Sequence, residues 1–212
     1  MSDPHLTTYD APGRTRAMVL VLHGGKPRSS QAVDGRSASW RRAAWLARDI
    51  AQQAHEAGVG VWLVRYRRRG WNGGPDAVAD ARWALDRLRE VHGDVPVVLL
   101  GHSMGARVAV HVADDPSVVG VVGLAPWWSA HDPVRTLSGR TLRAAHGRRD
   151  RITSFGETAR YVERARTVAD SAELQDMGPL GHYMLTGSRR WHDVALRSVL
   201  EVVDAQVRST ER

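Results

Sequence analysis

The chain has 212 residues, no cysteine, 42% apolar residues and a formal charge of +7. That size supports one domain with a real core, residues 1–212, and this apolar content excludes a chain disordered over most of its length. Lack of cysteine excludes disulfides, thiol catalysis and thiolate metal sites, and the positive charge, carried by Lys26 and 29 dispersed arginines, reads as solvated surface rather than a nucleic-acid footprint.

Residues 1–13 carry no basic segment followed by an apolar one, so a cytoplasmic location is the default expectation. Residues 1–16 and 209–212 are expected to be the loosest parts. The run 17–22 reads as a strand and ends in the turn His23-Gly24-Gly25-Lys26. A helix is expected over 38–57, stopped by Gly58, and a strand over 60–65. Arg65, Arg67, Arg68 and Arg69 follow, as a solvated basic loop or, less favoured, a receiver for an anionic substrate. Pro75-Asp76 opens the helix 75–91.

The strand 95–100 leads into Gly101-His102-Ser103-Met104-Gly105 and a helix over 104–113. Strands follow at 118–124, 141–145 and 172–177, with helices at 154–169 and 189–207. This alternation predicts an α/β domain, a three-layer α/β/α sandwich around a mainly parallel sheet. No apolar run approaches the roughly 18 to 20 residues of a membrane span.

A strand, then G-x-S-x-G, then a helix is the setting that holds a serine on a sharp turn as a nucleophile. A serine hydroxyl needs a histidine to take its proton, a carboxylate to orient that histidine, and N–H donors for the developing oxyanion. His182 follows the last strand and the breaker Gly178-Pro179, and is preferred to His192 inside the final helix. Asp150 closes the turn His146-Gly147-Arg148-Arg149-Asp150 after the preceding strand. It is preferred to Asp132, since the order Ser, Asp, His is then kept with a strand and a helix between members. Met104 N–H, at a helix start, is one expected oxyanion donor. Gly25 N–H is the other, with Lys26 N–H close behind. His102 and His23 are expected to pack rather than react.

Trp127 and Trp128 lie beyond strand 118–124 and, with Trp71 and Lys26, are candidates to line a substrate pocket. The even alternative for the paired tryptophans is packing of their loop. No nucleotide or zinc-protease motif occurs, so no cofactor and no metal are implied.

On His23-Gly24-Gly25, the pentapeptide around Ser103, the His146-Gly147 turn with Asp150, and Gly181-His182, the chain resembles the α/β-hydrolase fold superfamily. The match runs from Ala17 to about Val207. The resemblance implies ester-type hydrolysis through an acyl-enzyme on Ser103, with a carboxylic ester or thioester of small to medium acyl size as substrate. Sixteen residues before Ala17 leave space for at most one of the family's N-terminal strands, so six or seven strands are expected. Residues 125–140 leave no space for a large lid. An acyltransferase or perhydrolase on the same fold, and a non-catalytic ligand-binding protein, are the alternatives.

Overall fold

The computed structural model describes residues 3–210. Seven strands form one sheet: β1 (His5–Tyr9), β2 (Ala17–Leu22), β3 (Val59–Arg65), β4 (Val97–His102), β5 (Val118–Leu124), β6 (Thr141–His146) and β7 (Ser171–Asp176). Their spatial order is β1-β3-β2-β4-β5-β6-β7. Only β1 runs antiparallel, pairing its His5 with Arg65 of β3. The other five pairings are parallel. The single β1 is the reduced N-terminal element anticipated from the short stretch before Ala17.

Five helices cover the sheet: α1 (Ala38–Glu56), α2 (Pro75–His92), α3 (Met104–Val112), α4 (Phe155–Ala165) and α5 (Ser188–Thr210). Alternate residues of a strand face opposite sides, and this sorts the core. Leu20, Leu22 and Leu99 pack with Leu85 of α2, Val108 of α3 and Tyr161 of α4. Val19, Val21 and Leu100 pack on the other face with Leu46 and Ile50 of α1 and Trp191 and Val199 of α5. β2 and β4 are buried at every position, as parallel strands covered on both faces must be.

Several boundaries differ from the sequence reading. Residues 5–9, in the segment read as a loose terminus, form the edge strand β1, paired along one side to β3. At the other end Ser209 and Thr210 continue α5, while residues 1–2 and 211–212 lie outside the described ones. β4 starts two residues late and includes Gly101 and His102, so the strand runs up to Ser103 itself. α4 is shorter than 154–169. Ser154 is its N-cap, its hydroxyl accepting from Glu157 N, and the chain turns out of the helix after Ala165. Between β5 and β6 there is one short 3-10 turn, Arg135–Leu137, and no lid.

Candidate active site

Ser103 sits between the end of β4 and the start of α3 with φ 55° and ψ −116°, a backbone conformation that L residues avoid. The turn is held by several hydrogen bonds. Ser103 N donates to Leu124 O, and Ser103 O accepts from the amides of Ala106, Arg107 and Trp127. The flanking glycines are required by space. A Cβ at Gly101 would lie 2.3 Å from Ala106 N, and one at Gly105 would lie 1.9 Å from Leu22 O. β2, β4 and α3 therefore meet only because positions 101 and 105 have no side chain.

Ser103 Oγ lies 3.0 Å from His182 Nε2, and His182 Nδ1 lies 2.7 Å from Asp150 Oδ2. A carboxylate accepts, so His182 carries its proton on Nδ1 and offers Nε2 as the acceptor for the serine hydroxyl. The three groups come from the carboxyl-terminal ends of β4, β6 and β7, brought together by parallel pairing. The loops after β6 and β7 are tied directly: Arg148 N donates to Gly178 O, and Arg149 N to Leu180 O.

Asp150 is satisfied on both oxygens. Oδ1 accepts the amides of Ile152 and Thr153, both at 2.8 Å. Oδ2 accepts from His182, from His146 Nε2 at 3.1 Å and from Thr153 Oγ1 at 2.9 Å. His146 is oriented by Thr158 Oγ1, 2.8 Å from its Nδ1. Burial pushes the Asp150 carboxyl up, but the hydrogen bonds from His146, His182 and the two amides outweigh it and hold it well below the usual carboxylate range. No arginine pairs with it among the described residues, so its charge faces histidine only.

His102 Nε2 donates to the carbonyl oxygen of His182 at 2.9 Å, anchoring the loop that carries that residue. Burial, and then the neighbouring His182, lower the His102 pKa to about 3, so it stays neutral. His23 holds the other side. Its Nδ1 donates to Gly24 O at 2.6 Å and its Nε2 accepts from Tyr66 N at 3.2 Å. Burial lowers its pKa to about 4. Both histidines pack, as read from the sequence, but each also fixes a loop at the site.

The loop 23–26 presses against the serine turn. A Cβ at Gly25 would lie 2.5 Å from both Arg69 O and the Met104 sulfur. Lys26 N–H is taken by Arg69 O at 2.8 Å. The Gly25 N–H has no acceptor among the described residues, and Met104 N–H belongs to the first turn of α3, where no intrahelical acceptor exists. Two amides are thus available beside the serine.

A cleft of about 300 Å³ opens over Ser103 and His182. Its walls include Gly24, Gly25 and Lys26, the start of α1, Arg42, Arg69, Ile152 and Tyr183. Lys26 lines it, but Trp71, Trp127 and Trp128 do not. Trp128 is 2% exposed, stacks on Tyr161 and donates its indole N–H to Ala106 O. Trp71 and Trp127 lie against the Arg107 guanidinium, at 4.8 and 4.6 Å. Trp127 and Trp128, expected to reach the pocket from the end of β5, and Trp71, expected near it, instead pack on the side chains of α3 and α4. Trp127 serves the site only through its backbone.

The rival residues lie elsewhere. Asp132 is bound by Arg107, His111 and Ser129, and His192 by Asp49. Thr153, His146, Arg42, Ile152 and Tyr183 were missed. Only His146, four residues before Asp150 in one turn, left a sequence signal. Among the described residues no group of three His, Asp or Glu side chains is arranged to hold a metal ion.

The fold has many solved counterparts. An α/β serine hydrolase homologue from Coxiella burnetii superposes with a TM-score of 0.72 at 16% identity, covering 92% of this chain and 91% of its own. A thermophilic esterase from Thermogutta terrifontis with bound butyrate gives 0.70 at 16% identity, covering 95% and 90%. A lid-free α/β serine hydrolase from Xanthomonas campestris gives 0.60 at 18% identity, covering 90% and 96%. At such identities the likeness is one of fold. No curated protein matches by sequence. The profile of the Hydrolase_4 family, described as serine aminopeptidase, S33, matches residues 13–173, and the chain belongs to that family of α/β hydrolases.

Proposed function

We propose that the protein is a serine esterase that cleaves a carboxylic ester or thioester of small to medium acyl size. The observation that carries this reading is the unbroken hydrogen-bonded line from Ser103 through His182 to Asp150, opening on a cleft with two free amides. Ser103 Oγ attacks the carbonyl carbon while its proton passes to His182 Nε2. The oxyanion is received by Gly25 N–H and Met104 N–H. His182 then protonates the leaving alcohol or thiol, and the acyl group stays on Ser103. Water gives a proton to His182 and attacks the acyl carbon. Collapse releases the acid, and the proton returns to Ser103. Asp150 keeps His182 in the productive tautomer and stabilises its charged form.

The family's description mentions aminopeptidases, which must receive a substrate ammonium. Among the described residues no Asp or Glu lines the cleft, and three cationic side chains do. That electrostatics opposes a peptide N-terminus. Exposed Ile152 and Tyr183 on the rim leave the acyl-enzyme open to water, which supports hydrolysis over acyl transfer. The test is labelling with a fluorophosphonate, with the adduct located by mass spectrometry. An adduct on Ser103, abolished in Ser103→Ala and accompanied by turnover of p-nitrophenyl esters, is expected. A folded protein that takes no label at Ser103 overturns the mechanism.

A further inference from the structure

Arginine is abundant in this chain, and several partly buried arginines are matched by carboxylates. Arg67 pairs with Asp80, Arg107 with Asp132 and Arg89 with Asp115. One arginine that lines the cleft over Ser103 differs from these. Arg42, in the second turn of α1, is half-buried and forms no ion pair among the described residues. Its Nε is buried without a hydrogen-bond partner. Its guanidinium lies over the face of the Tyr183 ring, 5.0 Å from the centroid. Lys26, which also lines the cleft, likewise forms no ion pair among the described residues. Arg69 completes the wall and is only partly neutralised, by an exposed Asp34 at 3.2 Å and by Ala32 O. The start of α1 also faces the cleft and carries no acidic residue in its first turn.

A desolvated guanidinium with open donors is costly unless a ligand completes it. We propose that this cleft selects esters bearing an anionic group, a carboxylate or a phosphate, received by Arg42 and Lys26 with Arg69 behind them. This rests on the esterase reading of Ser103 and names the substrate class for it. The planar guanidinium offers a forked pair of donors that suits either anion, and Lys26 adds a mobile charge. Exposed Ile152 lines the same cleft and offers apolar area to the remainder of the substrate.

The experiment compares the mono-p-nitrophenyl ester of glutaric acid with its methyl-capped counterpart, two substrates differing by one charge. A second pair places the charge on the alcohol side: 3-acetoxybenzoate and its methyl ester. In at least one pair, kcat/KM is expected to favour the anion at least tenfold at low salt, and the ratio falls in 0.5 M NaCl. Arg42→Met and Lys26→Met each lower that ratio severalfold, the double variant brings it near one, and Arg42→Lys restores much of it. Inhibition by glutarate against inorganic phosphate tells the two anion types apart. Ratios near or below one in both pairs, or a preference that survives in the folded double variant, overturn the proposal.

The two readings fail separately. Ser103 labelled and neutral esters cleaved without anion preference removes the selectivity and leaves the esterase. For the converse, calorimetry measures glutarate and phosphate binding to Ser103→Ala, where no turnover is needed. Binding of either that weakens at least fivefold on adding Arg42→Met supports the anion site even if no ester is cleaved, and no binding of either counts against it.

Discussion

Two buried aspartates, Asp132 and Asp150, follow neighbouring strands of this sheet, and each lies within hydrogen-bond distance of histidine. Asp132 accepts from His111 at 3.0 Å, and also from Arg107 at 2.7 Å. Asp150 accepts from His182 and His146 and from no arginine. In both, burial pushes the carboxyl up and hydrogen bonds bring it down below the ordinary range. The difference is the counter-charge. Arg107 is a permanent cation, so the Asp132 charge is already answered and the cluster braces α3 against the loop after β5. Asp150 meets only groups that are neutral until one accepts a proton, so its field stays available to an imidazolium at His182. A carboxylate matched to a fixed cation holds structure, and one matched to a titratable base is fit to support proton transfer.

The sharpest way to break this comparison is to truncate the two histidines. His182→Ala should lower kcat by about 10⁶. His111→Ala should leave kcat within about threefold, since its ring contacts Asp132 and Trp71 and does not line the cleft. Steady-state ester hydrolysis by folded variants checks both, and a large loss in His111→Ala would sink the distinction. Next come the carboxylates. Asp150→Asn should cost about 10⁴ in kcat with modest loss of stability. Asp132→Asn should do the reverse, destabilising by about 3–5 kcal/mol because Arg107 is left without its partner, with kcat nearly intact below the new unfolding temperature. Urea unfolding beside kinetics reads both quantities.

Acid should act on the Ser103 side of the molecule first. His102 and His23 have folded pKa values of about 3 and about 4, below the 6.5 of a free histidine. Between those values the unfolded chain binds protons that the folded chain refuses. Stability is therefore complete above about pH 6.5 and falls as pH drops, by about 1.4 kcal/mol per pH unit for each histidine. The loss from pH 7 to 5 should be about 4 kcal/mol, and His102→Gln should remove about half of that dependence. The two aspartates add a further loss below about pH 4, where the unfolded carboxylates take up protons first. Denaturant titrations at a series of pH values would show a flat profile if these histidines were solvated. The smallest effect is expected at Thr153, whose hydroxyl donates to Asp150 Oδ2 and sits 3.2 Å from His182 Nδ1. Thr153→Val should lower kcat about tenfold with KM little changed, and shift the acid limb of the kcat/KM profile. A merely structural role would leave that limb in place.

How far this was legible from the chain depended on the range of the interaction. Gly101 meets a local demand of one tight turn, and it, Gly105 and His23-Gly24-Gly25 each sit in a short recognisable motif, although Gly105 and Gly25 are required by distant neighbours. Thr153, Arg42 and Tyr183 left none. Their roles come from contacts across 29, 141 or more positions, and nothing in their own surroundings requires their identity. Trp127 and Trp128 show the converse error. Their position at a strand end was read correctly, but a strand end does not state which way a large aromatic side chain turns.

By itself the sequence determined the alternation of strands and helices, the parallel sheet with both faces covered, and the turn that presents Ser103, because apolar periodicity and a strand–turn–helix motif are written over a few residues. Only the tertiary structure decided that Asp150 faces titratable groups while Asp132 faces an arginine, that Trp71, Trp127 and Trp128 pack on side chains of α3 and α4, and that unpaired cations line the cleft. Those facts depend on which distant loops meet at the carboxyl ends of the strands, and charge compensation across such a meeting has no signature along the chain.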